Sequence, residues 1–295
     1  MSTPPASTEP APLPGVTHRY VQARDLRVHV AEAGSGPPLV LLHGWPQHWY
    51  CWHAVLPLLA PHFRVICPDM RGFGWTDAPR SGYDKDTLAD DVLAVCDALG
   101  VEHFTLGGHD WGGFIAFLTA QRAPERVERL VMLNTAHGFA RVDLRMVRAL
   151  IGFWYMPLLG MPGLGPALMR RRAFLSLVMR WAHPGDSPWS AEEWEMYAGQ
   201  LRQRPRARAA QRLYGAFVYR ELIAGLFGKW KRTRLRVPTL FLHGDADRAL
   251  RPDFLRGYED YADDMCLELL PGVGHFLCDS EPQRVATRVL QFHST

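Results

Sequence analysis

The stretch Gly107-Gly108-His109-Asp110-Trp111-Gly112-Gly113 puts one carboxylate at the centre of a turn crowded with glycines. The residues before it, Val101 to Leu106, read as a short strand with β-branched and aromatic side chains, and Phe114 to Arg122 carries helical apolar spacing. Strand, tight turn and helix together hold the central side chain out in the open, while the glycines keep Cβ atoms away from crowded backbone. A side chain at such a point can attack. A hydroxyl there would need a base, whereas a carboxylate with a pKa near ~4 is already ionised at neutral pH. Its attack on a carbonyl would give a labile anhydride, but attack on a saturated, polarised carbon gives an ester that water can cleave. The motif therefore predicts displacement at an alkyl carbon followed by ester hydrolysis. A plainer reading makes Asp110 the N-cap of the helix beginning near Gly112.

Ester hydrolysis needs a base for water and donors for an oxyanion. Leu242-His243-Gly244-Asp245-Ala246-Asp247-Arg248 and Pro271-Gly272-Val273-Gly274-His275-Phe276 both fall just after apolar strands. His275 is the expected base, with Asp247 orienting it and Asp245 the rival for that acid role. The oxyanion would be met by two backbone N–H groups, that of Trp111 directly after the nucleophile and that of Trp45. His43-Gly44-Trp45-Pro46 forms the opposite wall, placing His43 and Pro46 beside the substrate, and Pro46 is a candidate for a cis bond.

These loops need a scaffold. His18–Ala23 and Arg27–Ala33 read as a hairpin turning near Asp25, and strands are expected at 38–43, 63–67, 127–133, 237–242 and 265–270. Helices are expected through Leu59 and over 87–99, 252–261 and 281–292. Alternating strands and helices imply a mostly parallel sheet covered by helices, an α/β fold. From Asn134 to about Leu235 the alternation stops and the chain reads as helical throughout. Such an insertion of ~100 residues is best placed over the carboxyl ends of the strands, where open α/β sheets bind ligands. The expected organisation is a disordered tail over 1–15, a core domain over 16–136 and 233–295, and an inserted all-helical lid or cap over 137–232. Arg170-Arg171-Arg172 and the arginines from 202 to 212 read as the solvated surface of that lid, because Glu192, Glu193 and Glu195 lie nearby.

Taken together, His43-Gly44-Trp45-Pro46, the aromatic run Trp49-Tyr50-Cys51-Trp52, Pro68-Asp69-Met70-Arg71-Gly72-Phe73-Gly74, Gly108 to Gly113 and Gly274-His275-Phe276 resemble the epoxide hydrolases of the α/β-hydrolase fold. The resemblance runs in motif order from about residue 16 to 295, with the nucleophile, acid and histidine in that family's chain order. It implies that two lid tyrosines hydrogen-bond the epoxide oxygen and protonate it as the ring opens. Tyr155, in Phe153-Trp154-Tyr155, and Tyr214, in Arg212-Leu213-Tyr214, match those positions, with Tyr197 and Tyr219 as substitutes. The segment from Phe153 to Met161, with Trp154, suggests an apolar substrate channel, so the expected substrate is an apolar epoxide.

The nearest rival is a haloalkane dehalogenase, which shares the aspartate chemistry but typically has asparagine where Trp45 stands. Fluoroacetate dehalogenases usually have arginine where Trp111 stands. A non-catalytic receptor on the same fold is a third possibility, disfavoured by the complete set of reactive groups. With 47% hydrophobic and 21% charged residues and a net charge of +3, the chain reads as an ordinary globular protein with no nucleic-acid partner. Five scattered cysteines without a C-x-x-C pair argue against a disulfide framework or a zinc site, and fit a reducing, cytoplasmic setting. No metal or organic cofactor, no membrane span and no signal peptide are expected, and the protein is expected to be a monomer or a homodimer.

Overall fold

The computed structural model describes residues 9–183 and 189–294. Among them, eight strands form one sheet: β1 (Val16–Ala23), β2 (Leu26–Ala33), β3 (Pro38–Leu42), β4 (Arg64–Pro68), β5 (Phe104–His109), β6 (Val127–Leu133), β7 (Thr239–Gly244) and β8 (Met265–Leu270). Their spatial order is β1-β2-β4-β3-β5-β6-β7-β8, with β1 and β2 antiparallel and every pairing from β4 to β8 parallel. After β3 the chain moves to one side to form β4, then returns across β3 to form β5 on the other side. That reversal opens a crevice at the carboxyl ends of β3 and β5, where doubly wound sheets take ligands.

Side chains of β3 alternate between the two faces. Val40 and Leu42 join one buried cluster and Leu39 and Leu41 the other. Helices α1 (Leu56–Leu59), α2 (Lys85–Ala98) and α3 (Trp111–Arg122) precede the long connection between β6 and β7. That connection carries α4 (Leu144–Ala149), α5 (Tyr155–Gly160), α6 (Leu164–Met169), α7 (Arg172–Ala182), α8 (Ala191–Arg202), α9 (Arg204–Ala216) and α10 (Leu222–Leu226). A π-helical segment, Phe217–Glu221, joins α9 to α10. The chain closes with α11 (Leu277–Ser280) and α12 (Pro282–His293). Within the described residues no helix is long and apolar enough to cross a membrane.

Several expectations shift. The strand expected over 101–106 lies at Phe104–His109, because the ladder continues through Gly107 and Gly108 into the turn. A Cβ on Gly107 would meet Leu41 Cδ2 at 2.8 Å, so glycine lets β5 lie close to β3. The helix expected over 252–261 shrinks to one 3₁₀ turn, Pro252–Leu255, since Gly257 at φ +99° cannot continue it. Helix does not begin at Asn134; residues 135–143 form a loop and α4 starts at an Asp143 N-cap. The expected tail falls outside the described residues over 1–8, while Ala11 and Leu13 pack against the core rather than hanging free. The Pro- and Gly-containing stretch 184–188 also lies outside them.

The arginine-rich stretch is not wholly solvated. Arg206 donates to the Thr76 carbonyl and Arg212 donates to Pro79 O at 3.2 Å, docking α9 on the loop after β4, whereas Arg172 and Arg202 pair with Glu195. Packing is tight under α3, where a Cβ on Gly112 would fall 2.2 Å from Leu42 O. Gly112→Ala is expected to lower stability by about 2–3 kcal/mol through this overpacking, measured as a reduced urea midpoint with an unchanged slope.

Candidate active site

Asp110 stands at the carboxyl end of β5 with φ 50° and ψ −121°, a conformation that side chains other than glycine rarely adopt. Its neighbours enforce it. A Cβ on Gly108 would lie 2.4 Å from the Gly112 carbonyl, and one on Gly113 would lie 2.7 Å from Thr135 Cβ. Thr135 Oγ1 donates to the Asp110 carbonyl at 2.6 Å, tying the turn to the loop after β6. The side chain makes no capping bond to α3, so the N-cap reading fails on geometry.

The Asp110 carboxylate instead faces the crevice. Trp45 N–H donates to its Oδ2 at 3.0 Å, and the nearby Trp111 N–H also favours the charged carboxylate. These are the two donors expected for an oxyanion, and they come from the ends of adjacent strands β3 and β5. The Trp45–Pro46 peptide is cis. Burial raises the Asp110 carboxyl to about 6, against the opposing pull of His275 and the two N–H groups.

On the other side, His275 Nε2 lies 3.9 Å from Asp110 Oδ1, and its Nδ1 donates to Asp247 Oδ2 at 2.8 Å. Burial alone would lower the His275 imidazole, but Asp247 and, more distantly, Asp110 hold it above the ordinary histidine value. Burial would likewise raise the Asp247 carboxyl, yet His275, His243 and the Leu250 N–H keep it below its usual range. Asp245 is exposed and caps the Gly272 N–H at 2.7 Å, away from His275.

Sequence reasoning missed two groups here. Asn134, at the end of β6 with φ 36°, donates to Asp247 Oδ2 at 2.8 Å and to Gly274 O at 3.0 Å, and accepts from Gly244 N–H at 2.9 Å. One amide thus ties together the loops carrying the acid and the histidine. His109 donates from Nε2 to the His275 carbonyl at 2.9 Å, backing the imidazole. Position was the available signal: Asn134 sits at a strand's carboxyl end and His109 within the turn itself.

A cavity of about 100 Å³ opens beside Asp110, lined largely by apolar side chains such as Phe114, Met146, Met156, Phe217 and Trp230. Tyr155 and Tyr214 line it too, with ring centroids 6.3 Å apart. The Trp111 and Tyr214 rings meet edge to face with centroids 5.5 Å apart, and burial, reinforced by Asp110, pushes both phenols well above the ordinary tyrosine value. Both therefore stay protonated donors. Tyr197 lies elsewhere, against His48 and Asp279, and Tyr219 is half exposed with its hydroxyl on Pro157 O.

Three expected substrate contacts are not among the cavity's lining residues. His43 spends both ring nitrogens on backbone, donating to Gly44 O and accepting from Met70 N–H, and so braces the loop after β3. Pro46 is buried in that loop. Trp154 points outward, 39% exposed, beside Trp181 and a separate groove containing Arg148 and Arg248. Helical phase explains it: successive residues Trp154 and Tyr155 diverge around the axis, and Tyr155 takes the inward face. Among the described residues no three His, Cys, Asp or Glu side chains are grouped to hold a metal ion.

This strand order belongs to a known family. Residues 37–282 match the family described as alpha/beta hydrolase fold, and the chain is a member of it. Within that family it is similar to epoxide hydrolases. A soluble epoxide hydrolase of Corynebacterium sp. is 46% identical over 126 residues, which is 43% of this chain and 44% of that protein. Epoxide hydrolase 2 of Siraitia grosvenorii is 28% identical over 94% of this chain and 98% of its own length. The structure of epoxide hydrolase CorEH superposes with a TM-score of 0.83 at 30% identity, covering 95% of this chain and 99% of that one.

A carboxyl raised from 3.8 to about 6 penalises folding at neutral pH by ~3 kcal/mol. The raised folded-state value makes that penalty full above pH 6 and lost as pH falls toward the unfolded value. Asp110→Asn is therefore expected to melt several degrees above wild type at pH 7.5, with the gap closing toward pH 4.5 in thermal scans. An unchanged gap across that range would sink the assignment.

Proposed function

We propose that this hydrolase converts an apolar epoxide and water into a vicinal diol through a covalent ester on Asp110. The observation that carries the reading is the environment of one carboxylate. Asp110 is held at a strained turn with Oδ2 on the Trp45 N–H and Oδ1 turned toward His275, beside a cavity lined by two protonated tyrosines. Residues 137–232 act as a cap that carries those tyrosines over the sheet.

In the first step Asp110 Oδ1 attacks a ring carbon, the carbon–oxygen bond of the epoxide breaks, and the leaving alkoxide takes a proton from Tyr155 or Tyr214. Donors placed where that charge develops lower the barrier, and they cost no reorganisation because the apolar walls hold them in place. In the second step His275 Nε2 removes a proton from water, which adds to the Asp110 carboxyl carbon. Oδ2 becomes the oxyanion between the Trp45 and Trp111 N–H groups. Collapse breaks the ester bond to the diol oxygen, which takes the proton held by His275 and leaves as diol, while the Asp110 acid proton returns to the tyrosinate and restores the carboxylate. Asp247, held by Asn134 and Leu250, keeps the imidazole in its Nδ1–H tautomer and stabilises the cation.

The test offers the purified protein a panel of aryl and alkyl epoxides and bromoalkanes, scoring diol and bromide. Diol without bromide is expected, absent in fresh Asp110→Asn and returning on long incubation as its amide hydrolyses. Bromide without diol would mean a dehalogenase. Because attack requires the ionised carboxylate, kcat/KM is expected to fall as pH drops through about 6. Tyr155→Phe and Tyr214→Phe should each lower kcat by about 10- to 100-fold and the double variant by ~10³-fold, read in steady-state assays at saturating epoxide. Equal losses in Tyr197→Phe would move the donor role to that residue.

A further inference from the structure

Lys85, the first residue of α2, is fully buried, which lysine almost never is unless paired. Its ammonium donates to Glu221 Oε2 at 3.2 Å, to the Leu213 carbonyl at 3.2 Å and to the Tyr83 carbonyl at 3.5 Å. Glu221 uses its other oxygen to accept the Lys85 backbone N–H at 2.9 Å. All three ammonium protons and both carboxylate oxygens are engaged, across a sequence separation of 136 residues.

The pair sits directly behind the candidate site. Lys85 Nζ lies 4.7 Å from the centre of the Trp111 ring and 5.5 Å from that of Phe217. Trp111 supplies an oxyanion donor, Phe217 lines the cavity, and the clamped Leu213 carbonyl belongs to the residue before Tyr214. The Tyr214 ring packs on the opposite partner, Trp111, at 5.5 Å edge to face. Glu221 closes the π-helical segment Phe217–Glu221, a wide turn of a kind frequent at functional sites. As a stability device the pair is a poor choice, since desolvating two charges offsets most of their attraction and apolar replacements are often as stable or more so. What it supplies is geometry: two rigid, directional attachments from the core to the last helices of the insertion.

We propose that the buried Lys85–Glu221 pair is a positioning clasp for ring opening, fixing α9 and the π-helical turn so that Tyr214 and Phe217 keep register with Trp111 and Asp110. The proposal rests on the epoxide hydrolase reading above. Neither residue touches substrate; both act through Tyr214 and the cavity wall.

The experiment replaces the whole pair, Lys85→Met with Glu221→Leu, so that no lone charge is left buried. The double variant is expected to melt within a few degrees of wild type, with kcat for epoxide hydrolysis lowered ~30-fold and KM changed less than ~3-fold. A mutant cycle then separates positioning from bulk structure. In a Tyr214→Phe background, removing the clasp is expected to lower kcat by less than ~3-fold, because the group it positions is already gone. If the double variant fails to fold, Glu221→Gln, which keeps the shape and the bond to the Lys85 N–H, takes its place in the same cycle with an expected ~10-fold loss. Wild-type kcat in the stable double variant, or losses that multiply fully with Tyr214→Phe, would overturn the clasp. Wild-type protein that makes no diol overturns the underlying reading and the clasp's role with it.

Discussion

The structure depends on a turn that holds Asp110 at positive φ between β5 and α3. A carboxylate in that conformation cannot cap its helix, so it points into the crevice opened where the strand order reverses between β3 and β5. Everything nearby serves to make this position tolerable. Gly108, Gly112 and Gly113 leave room for backbone at less than ordinary contact distance, and Thr135 ties the turn to the next strand's loop. The strain is localised in one residue and is balanced by packing on every side of it.

Electrostatics follow from the same placement. Asp110 and Asp247 are both buried, yet one carboxyl is raised and the other lowered. The difference lies in partners: Asp247 is met by His275, Asn134 and Leu250 at hydrogen-bond distance, whereas Asp110 has two backbone donors and a histidine 3.9 Å away. Two acidic groups in one pocket can therefore be suited to different tasks, the fully hydrogen-bonded acid to orienting a partner and the less satisfied one to reacting. His109 and Asn134 make this arrangement rigid by binding the backbone on which His275 rides.

The helical insertion is attached to the core by charge as well as by apolar packing. Arg206 and Arg212 reach backbone carbonyls after β4, and Lys85 and Glu221 meet in the interior behind Trp111. These attachments all converge on α9 and the turn after it. They fix the helix that bears Tyr214 more firmly than hydrophobic contacts alone would, because a hydrogen bond specifies direction and a dispersion contact does not.

Much of this was readable in the chain itself. The glycine spacing around Asp110, the apolar strands before Asp247 and His275, and the alternation that breaks after β6 depend on local sterics and burial pattern, which residue order encodes directly. So the grouping of Asp110, Asp247 and His275 in that chain order, and the inserted helices, could be named beforehand. Tertiary structure alone decided the rest. It separated Tyr155 and Tyr214 from Tyr197 and Tyr219, turned Trp154 outward, gave His43 to the backbone and made Asn134 the link between two loops. It also joined Lys85 to Glu221. Each of these depends on which way a side chain points after long-range docking, and pairs more than a hundred residues apart leave no periodicity or spacing by which one could announce the other.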